Sequence, residues 1–132
     1  MQYLQDFPNK KEVRYFVTDM NKIYRDLASE YFPNATIVVD KFHVIRYVTW
    51  ALENVRKRVQ KLLHPDKRKY FKRSRKLLLT HKYKLNKEGL QALEIMLLHS
   101  QDLATAYHLK ELFYDFMDSS TRAEAAKKLR FF

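Results

Sequence analysis

The stretch Pro33-Asn34-Ala35-Thr36-Ile37-Val38-Val39-Asp40-Lys41-Phe42-His43-Val44 decides how this chain is read. Ala35 to Val39 is a short, near-continuous apolar run rich in β-branched residues. Turn residues bound it on one side and a carboxylate on the other, which is the signature of a strand. An earlier segment repeats the pattern: Val13-Arg14-Tyr15-Phe16-Val17-Thr18 runs up to Asp19, and a helical pattern follows. Short apolar runs of this kind suit strands buried on both faces, in a parallel or mixed sheet covered by helices. Asp19 and Asp40 then stand at strand exits, where α/β folds carry ligand and catalytic groups. An Asp between a strand and a helix is also a preferred N-cap, accepting the first free helix N–H groups. Spacing alone leaves both roles open.

Outward from the two strands the pattern is helical. Asn21 to Tyr31 places Ile23, Leu27, Tyr24 and Tyr31 on one side of a short helix, and Pro33-Asn34 turns the chain into the second strand. From Phe42 to Leu63 the apolar residues Ile45, Val48, Leu52, Val55, Val59 and Leu62 recur at alternating spacings of three and four, the seam of a helix packed along a partner helix. Pro65 ends it, because the residue before a proline is driven from the helical region. Further helices are expected over Asp66 to about His81, Lys87 to His99 behind Asn86, Gln101 to Asp118 behind Ser100, and from Arg122 behind Thr121. In the last, Thr121-Arg122-Ala123-Glu124 is a capping box, in which the Glu reaches back to the cap's own N–H. Leu, Met and aromatic stripes at this spacing are read as core.

The chain of 132 residues holds 26 Lys+Arg against 15 Asp+Glu, a formal net charge of +11. Between Arg56 and Glu88 lie 14 basic and two acidic residues, so this one segment carries the whole excess. Nearby acids are too few to neutralise it through i,i+4 pairs, and phosphate is the natural counter-ion. Arg56, Arg58, Lys61, Lys67, Arg68, Lys69, Lys72, Arg73, Arg75 and Lys76 are therefore the candidate DNA contacts. Tyr70, Phe71 and Tyr83 within the run could stack on unpaired bases, but Tyr70 and Phe71 sit in a helical pattern that needs an apolar face, which favours core burial. No stretch approaches the length of a spanning helix, and the N-terminus does not read as a signal peptide, so no membrane partner and a cytoplasmic location are expected. Cysteine is absent, which excludes disulfides and thiolate sites, and the five histidines show no paired spacing suited to zinc.

The ordered string Thr18-Asp19-Met20, Tyr24, Tyr31-Phe32-Pro33-Asn34-Ala35, then Val39-Asp40-Lys41-Phe42-His43-Val44 resembles the middle of a DDE-type insertion-sequence transposase of the ISL-three group. The match is dense from about Val13 to Arg56 and looser towards Phe132. The resemblance implies part of a ribonuclease-H-like core, here about two strands, followed by an α-helical insertion. The fold class is thus α/β but predominantly helical, with residues 1–63 as the partial core with its long helix and 64–132 as the basic helical insertion. It implies Asp19 as the second of three acidic residues and a metal ligand. Asp40 and His43 correspond to the family's Asp-x-x-His signature and support the site.

Two members of the triad have no counterpart. Met1 to Glu12 holds no strand long enough to carry the first Asp, and nothing after Ser120 matches the context of the last Glu. The chain therefore reads as an internal piece of an enzyme that cleaves DNA and transfers its strands with Mg²⁺ or Mn²⁺, and it is expected to be inactive alone and to hold no ion tightly. Two metal ions about 3.5–4 Å apart are required for such in-line displacement, and hard cations want several carboxylate oxygens. The alternatives are a non-catalytic nucleic-acid-binding helical module and a helical protein-interaction module working through the Ile45 to Leu62 seam. Two strands make a poor sheet, so an unpaired strand edge inviting self-association is also expected.

Overall fold

A computed structural model describes residues 2–73 and 75–131, the side chains of Gln2 and Arg73 excepted. The chain forms two compact units, Met1–Tyr47 and Val48–Phe132. The division falls inside the long helix, whereas the sequence reading put it at residue 63, where that helix ends.

In the first unit a short helix α1 (Gln2–Gln5) leads to strand β1 (Tyr15–Thr18), helix α2 (Lys22–Tyr31), strand β2 (Thr36–Val39) and the start of helix α3 (Lys41–Leu62). The strands pair in parallel with Tyr15 opposite Thr36 and Thr18 opposite Val39. Parallel pairing requires a crossover connection, and α2 is that crossover. Asn21 starts it, its side chain accepting the Ile23 N–H at 3.0 Å. Ala28 and Phe32, the buried residues at its end, cover the strand face that carries Phe16. The Phe16 and Phe32 rings lie 5.5 Å apart, and Phe7 meets Phe32 edge-on at 5.7 Å.

The opposite face corrects the expectation of strands buried on both sides. Tyr15 and Val17 are 68% and 65% exposed. The reason is numerical: α2 covers one face, and among the described residues the sheet has two strands. Each strand therefore keeps an unpaired outer edge.

The second unit holds the rest of α3, α4 (Pro65–Arg73), α5 (Arg75–Leu79), α6 (Lys87–Leu97), α7 (Gln101–Met117) and α8 (Arg122–Leu129). Its core consists of Leu52, Val59, Phe71, Leu78, Leu93, Met96, Leu103 and Tyr107, with Val55 packed against it. The middle of the α3 seam, Leu52, Val55 and Val59, is thus turned into the unit's own core, whereas Leu62, at the helix end, is 84% exposed. Helix starts follow the caps read from sequence. Asn86 accepts the Gly89 N–H at 2.8 Å, Ser100 the Leu103 N–H at 3.2 Å, and Thr121 the Glu124 N–H at 3.2 Å. The Glu124 carboxylate reaches the N–H of Ser120 at 3.0 Å, one residue before the cap and not the cap itself. No described helix is long and apolar enough to cross a membrane.

Charge is buried beside the core of this unit. Glu53 and Arg56 are 6% and 5% exposed. The Arg56 Nε donates to Glu53 at 2.7 Å, and the Arg75 Nε reaches its other oxygen at 2.8 Å. Burial alone would raise the Glu53 carboxyl, but the hydrogen bonds and charges of Arg56 and Arg75 outweigh it and hold the group below its ordinary value of 4.5. Glu53→Gln strands the buried Arg56 guanidinium and is expected to cost about 3–5 kcal/mol at neutral pH. A carboxyl depressed in the folded state contributes stability above its unfolded value and loses it as pH falls through the folded one. The gap between wild type and variant should therefore narrow as pH drops below 4.5, which urea denaturation across an acid pH series would measure.

Candidate functional site

The register fixes the site. Thr18 and Val39 are partners at the last rung of the ladder, so Asp19 and Asp40 follow the same end of adjacent parallel strands. The Asp40 N–H donates to the Thr18 carbonyl at 2.8 Å and carries the pairing one residue further. Neighbouring strands run about 4.8 Å apart, so the two carboxylates rise from neighbouring positions at the carboxyl edge of the sheet.

Each carboxylate also organises the chain that follows it. Asp19 Oδ1 accepts the Asn21 N–H at 2.9 Å, a turn that sets Asn21 as the cap of α2. Asp40 Oδ1 accepts the Phe42 N–H at 2.9 Å, which makes Asp40 the N-cap of α3. The capping role left open by spacing is thus realised directly by Asp40 and at one remove by Asp19. In both residues it uses Oδ1. The Asp40 Oδ2 stands 3.8 Å from His43 Nε2, one helical turn along α3, and the imidazole packs edge-on against Phe42 at 5.7 Å. Asp19, Asp40 and His43 are all half-buried, open enough to meet solvent.

Among the described residues, no three His, Cys, Asp or Glu side chains come together so as to hold a metal ion. The oxygen donors at the strand ends suit a hard cation in type. In number they fall short, because Asp19 and Asp40 give two carboxylates and no third. The described residues therefore do not make a complete metal site by themselves.

The basic segment sorts by residue type. Arg56 is taken off the list of phosphate contacts, being buried against Glu53 and bonded to Gln60. Arg75 reaches the same Glu53, and Arg58 pairs with Asp102 of α7 at 3.1 Å. Arg68 donates to the carbonyls of Leu63 at 2.8 Å and Lys61 at 2.7 Å. The Arg73 side chain lies outside the described residues. Lys61, Lys67, Lys69, Lys72 and Lys76 are exposed. Phe71 is fully buried, as its helical pattern implied, and the Tyr70 hydroxyl donates to the Ala92 carbonyl at 3.2 Å. Tyr83 remains 67% exposed.

One polar cluster escaped the sequence reading. Lys110 is 1% exposed, donates to the Thr80 carbonyl at 3.0 Å and to Glu111, and sits 4.3 and 4.9 Å from the Tyr107 and Tyr114 rings. Glu111 accepts the Lys82 N–H and lies 2.9 Å from His81 Nδ1. Burial lowers Lys110 and Glu111 partly restores it, while burial and then Glu111 raise the Tyr107 hydroxyl. The signal was a Lys-Glu pair inside an otherwise apolar helix stripe. Its work is to tie the turn after α5 to α7.

Asp40→Ala removes the α3 cap and is expected to cost about 1 kcal/mol, whereas Asp40→Asn keeps the capping oxygen and stays within a few tenths, roughly, of wild type. Urea denaturation of the two variants checks the difference.

No curated protein and no solved structure was found to match the chain. A family model described as a transposase matches residues 1–132 in full, so the chain belongs to the DDE-type transposase family of the ISL-three group.

Proposed function

We propose that this chain serves a transposase that cleaves DNA and transfers strands of an insertion sequence, with Asp19 as one of its metal-binding carboxylates and Asp40 and His43 as supporting residues. The observation that carries the reading is the parallel register that brings Asp19 and Asp40 to one edge of the sheet. A wholly helical N-terminal half would have favoured a simple binding module, and Leu52, Val55 and Val59 of the α3 seam are taken up by the second unit's own core, which removes them from a partner helix. The ribonuclease-H-like core proposed here would gain its remaining strands and carboxylates from segments outside the described residues. In the complete enzyme Mg²⁺ or Mn²⁺ supplies charge stabilisation to the attacking and leaving oxygens. Asp19 offers that ion the oxygen its turn does not use. Asp40 holds the start of α3 in place beside it, and His43 limits the freedom of the Asp40 carboxylate. The exposed lysines of the second unit meet the DNA backbone.

Two measurements test this reading. The chain alone, incubated with supercoiled plasmid and Mg²⁺ or Mn²⁺, is expected neither to nick nor to join it; cleavage by this chain would overturn the view that its acidic set is incomplete. In NMR spectra, millimolar Mn²⁺ is expected to broaden amides around Asp19 and Asp40. Asp19→Asn keeps the turn to Asn21 but removes the anionic oxygen, so the broadening should vanish with the fold unchanged. Broadening centred elsewhere would remove Asp19 as a ligand.

The free edges of β1 and β2 support a further part of the reading, self-association by strand pairing. Light scattering at rising concentration is expected to show a growing mass, and a strictly monomeric species at high concentration would contradict it.

A further inference from the structure

We propose that lysines carry the phosphate contacts of the basic segment, so that it grips duplex DNA without regard to base sequence, while the four arginines whose side chains are described build the fold. The inference rests on the nucleic-acid reading above and adds which residues act and what they can discriminate.

Between Arg56 and Lys76 the chain has six lysines and five arginines. The four arginines whose side chains are described are all engaged. Arg56 and Arg75 hold Glu53 from two sides, Arg58 holds Asp102, and Arg68 covers two carbonyls at the end of α3. Pro65 explains the last of these: it starts a new helix, so the final carbonyls of α3 have no following N–H and need another donor. A planar guanidinium, weakly hydrated and with five donors, suits such work better than an ammonium.

The lysines show the opposite pattern. Lys57, Lys61, Lys67, Lys69, Lys72 and Lys76 are all exposed, and among the described residues none of their ammonium groups has an ion-pair or hydrogen-bond partner. Of the nearby acids, Glu53 is held by two arginines and Asp102 by Arg58, while Asp66 lies 3.3 Å from the His64 imidazole. On α4, Lys69 and Lys72 are three residues apart and share a face, with Phe71 turned into the core. Among the described side chains the uncompensated positive field of the segment is therefore a lysine field.

Chemistry then sets what this surface can read. The commonest base-specific contact in the major groove is an arginine or lysine on guanine, and of the two only the planar guanidinium makes it through a rigid fork. In Arg68 the Nε and Nη2 edge of the guanidinium already holds two carbonyls. A lysine ammonium is a hydrated point charge that meets phosphate without a directional fork. Phosphate contacts position a protein and carry no sequence information.

The test is fluorescence anisotropy of the full chain with two short duplexes of equal length and unrelated sequence, over a series of salt concentrations. Equal affinity for both duplexes is expected, together with a log–log salt slope that flattens by about 0.9 for each lysine removed. The triple change Lys67→Gln, Lys69→Gln, Lys72→Gln should thus flatten it by about 2.7. Arg68→Gln should lower the melting temperature and leave the slope unchanged. A slope that Arg68→Gln flattens as much as a lysine change does, or a preference of about tenfold between duplexes, would overturn the lysine assignment while DNA binding stands. Absence of binding to either duplex at low salt would overturn the nucleic-acid reading itself, and this inference with it.

Discussion

The parallel pairing of β1 with β2 is the constraint on which the first unit depends. A parallel pair cannot be closed by a tight turn, so the chain between Thr18 and Thr36 must cross over, and α2 is the crossover that also covers one sheet face. The same pairing sends both strands out at one edge. Slipping the register by a single residue would turn Phe16 away from Phe32 and move every strand side chain to the opposite face. It would also part Asp19 from Asp40. Core packing and the placement of the candidate site are thus one condition, and the aromatic contact of Phe16 with Phe32 defends both.

In the second unit the corresponding constraint is electrostatic. Glu53 lies beside the core, and a buried carboxylate is tolerated only when paired and hydrogen-bonded. Arg56 supplies the pair from one turn along α3, and Arg75 supplies a second from α5. Lys110 is handled in the same way, its ammonium set against a carbonyl, a carboxylate and two aromatic rings. Charges that enter the interior are neutralised on the spot by a partner on their own helix and a second group from elsewhere, and the second contacts join α3 to α5 and α7 to the turn after α5.

What could be read from the sequence was what local chemistry decides. Asn86, Ser100 and Thr121 cap their helices because a short polar side chain needs only the next turn of backbone to find its partner. Pro65 stops α3 for an equally local reason, and the strands ending at Asp19 and Asp40 follow from residue type alone. The exposure of Tyr15 and Val17 was not legible, because burial of a strand face depends on what else covers it. Nor was the fate of Arg56 or Arg58. Glu53 stands three residues before Arg56, a spacing at which helical neighbours meet, but nothing local says that this pair is buried, and Arg58's partner Asp102 lies on a different helix. Leu62 belongs to the seam by spacing, yet it stands at the end of the helix, where the partner surface has run out.

At Asp19 and Asp40 the two readings of a carboxylate at a strand exit are compatible. A carboxylate has two oxygens and about four lone-pair directions. One oxygen of each residue is fixed by a backbone N–H, which removes the side chain's freedom and points the other oxygen in a defined direction. A ligand held still in this way gives up little conformational entropy when an ion arrives, whereas a free side chain would lose its rotamers at that moment. The turn after Asp19 is therefore compatible with its proposed role as a metal ligand, because the bond to Asn21 gives that carboxylate a direction as well as a charge.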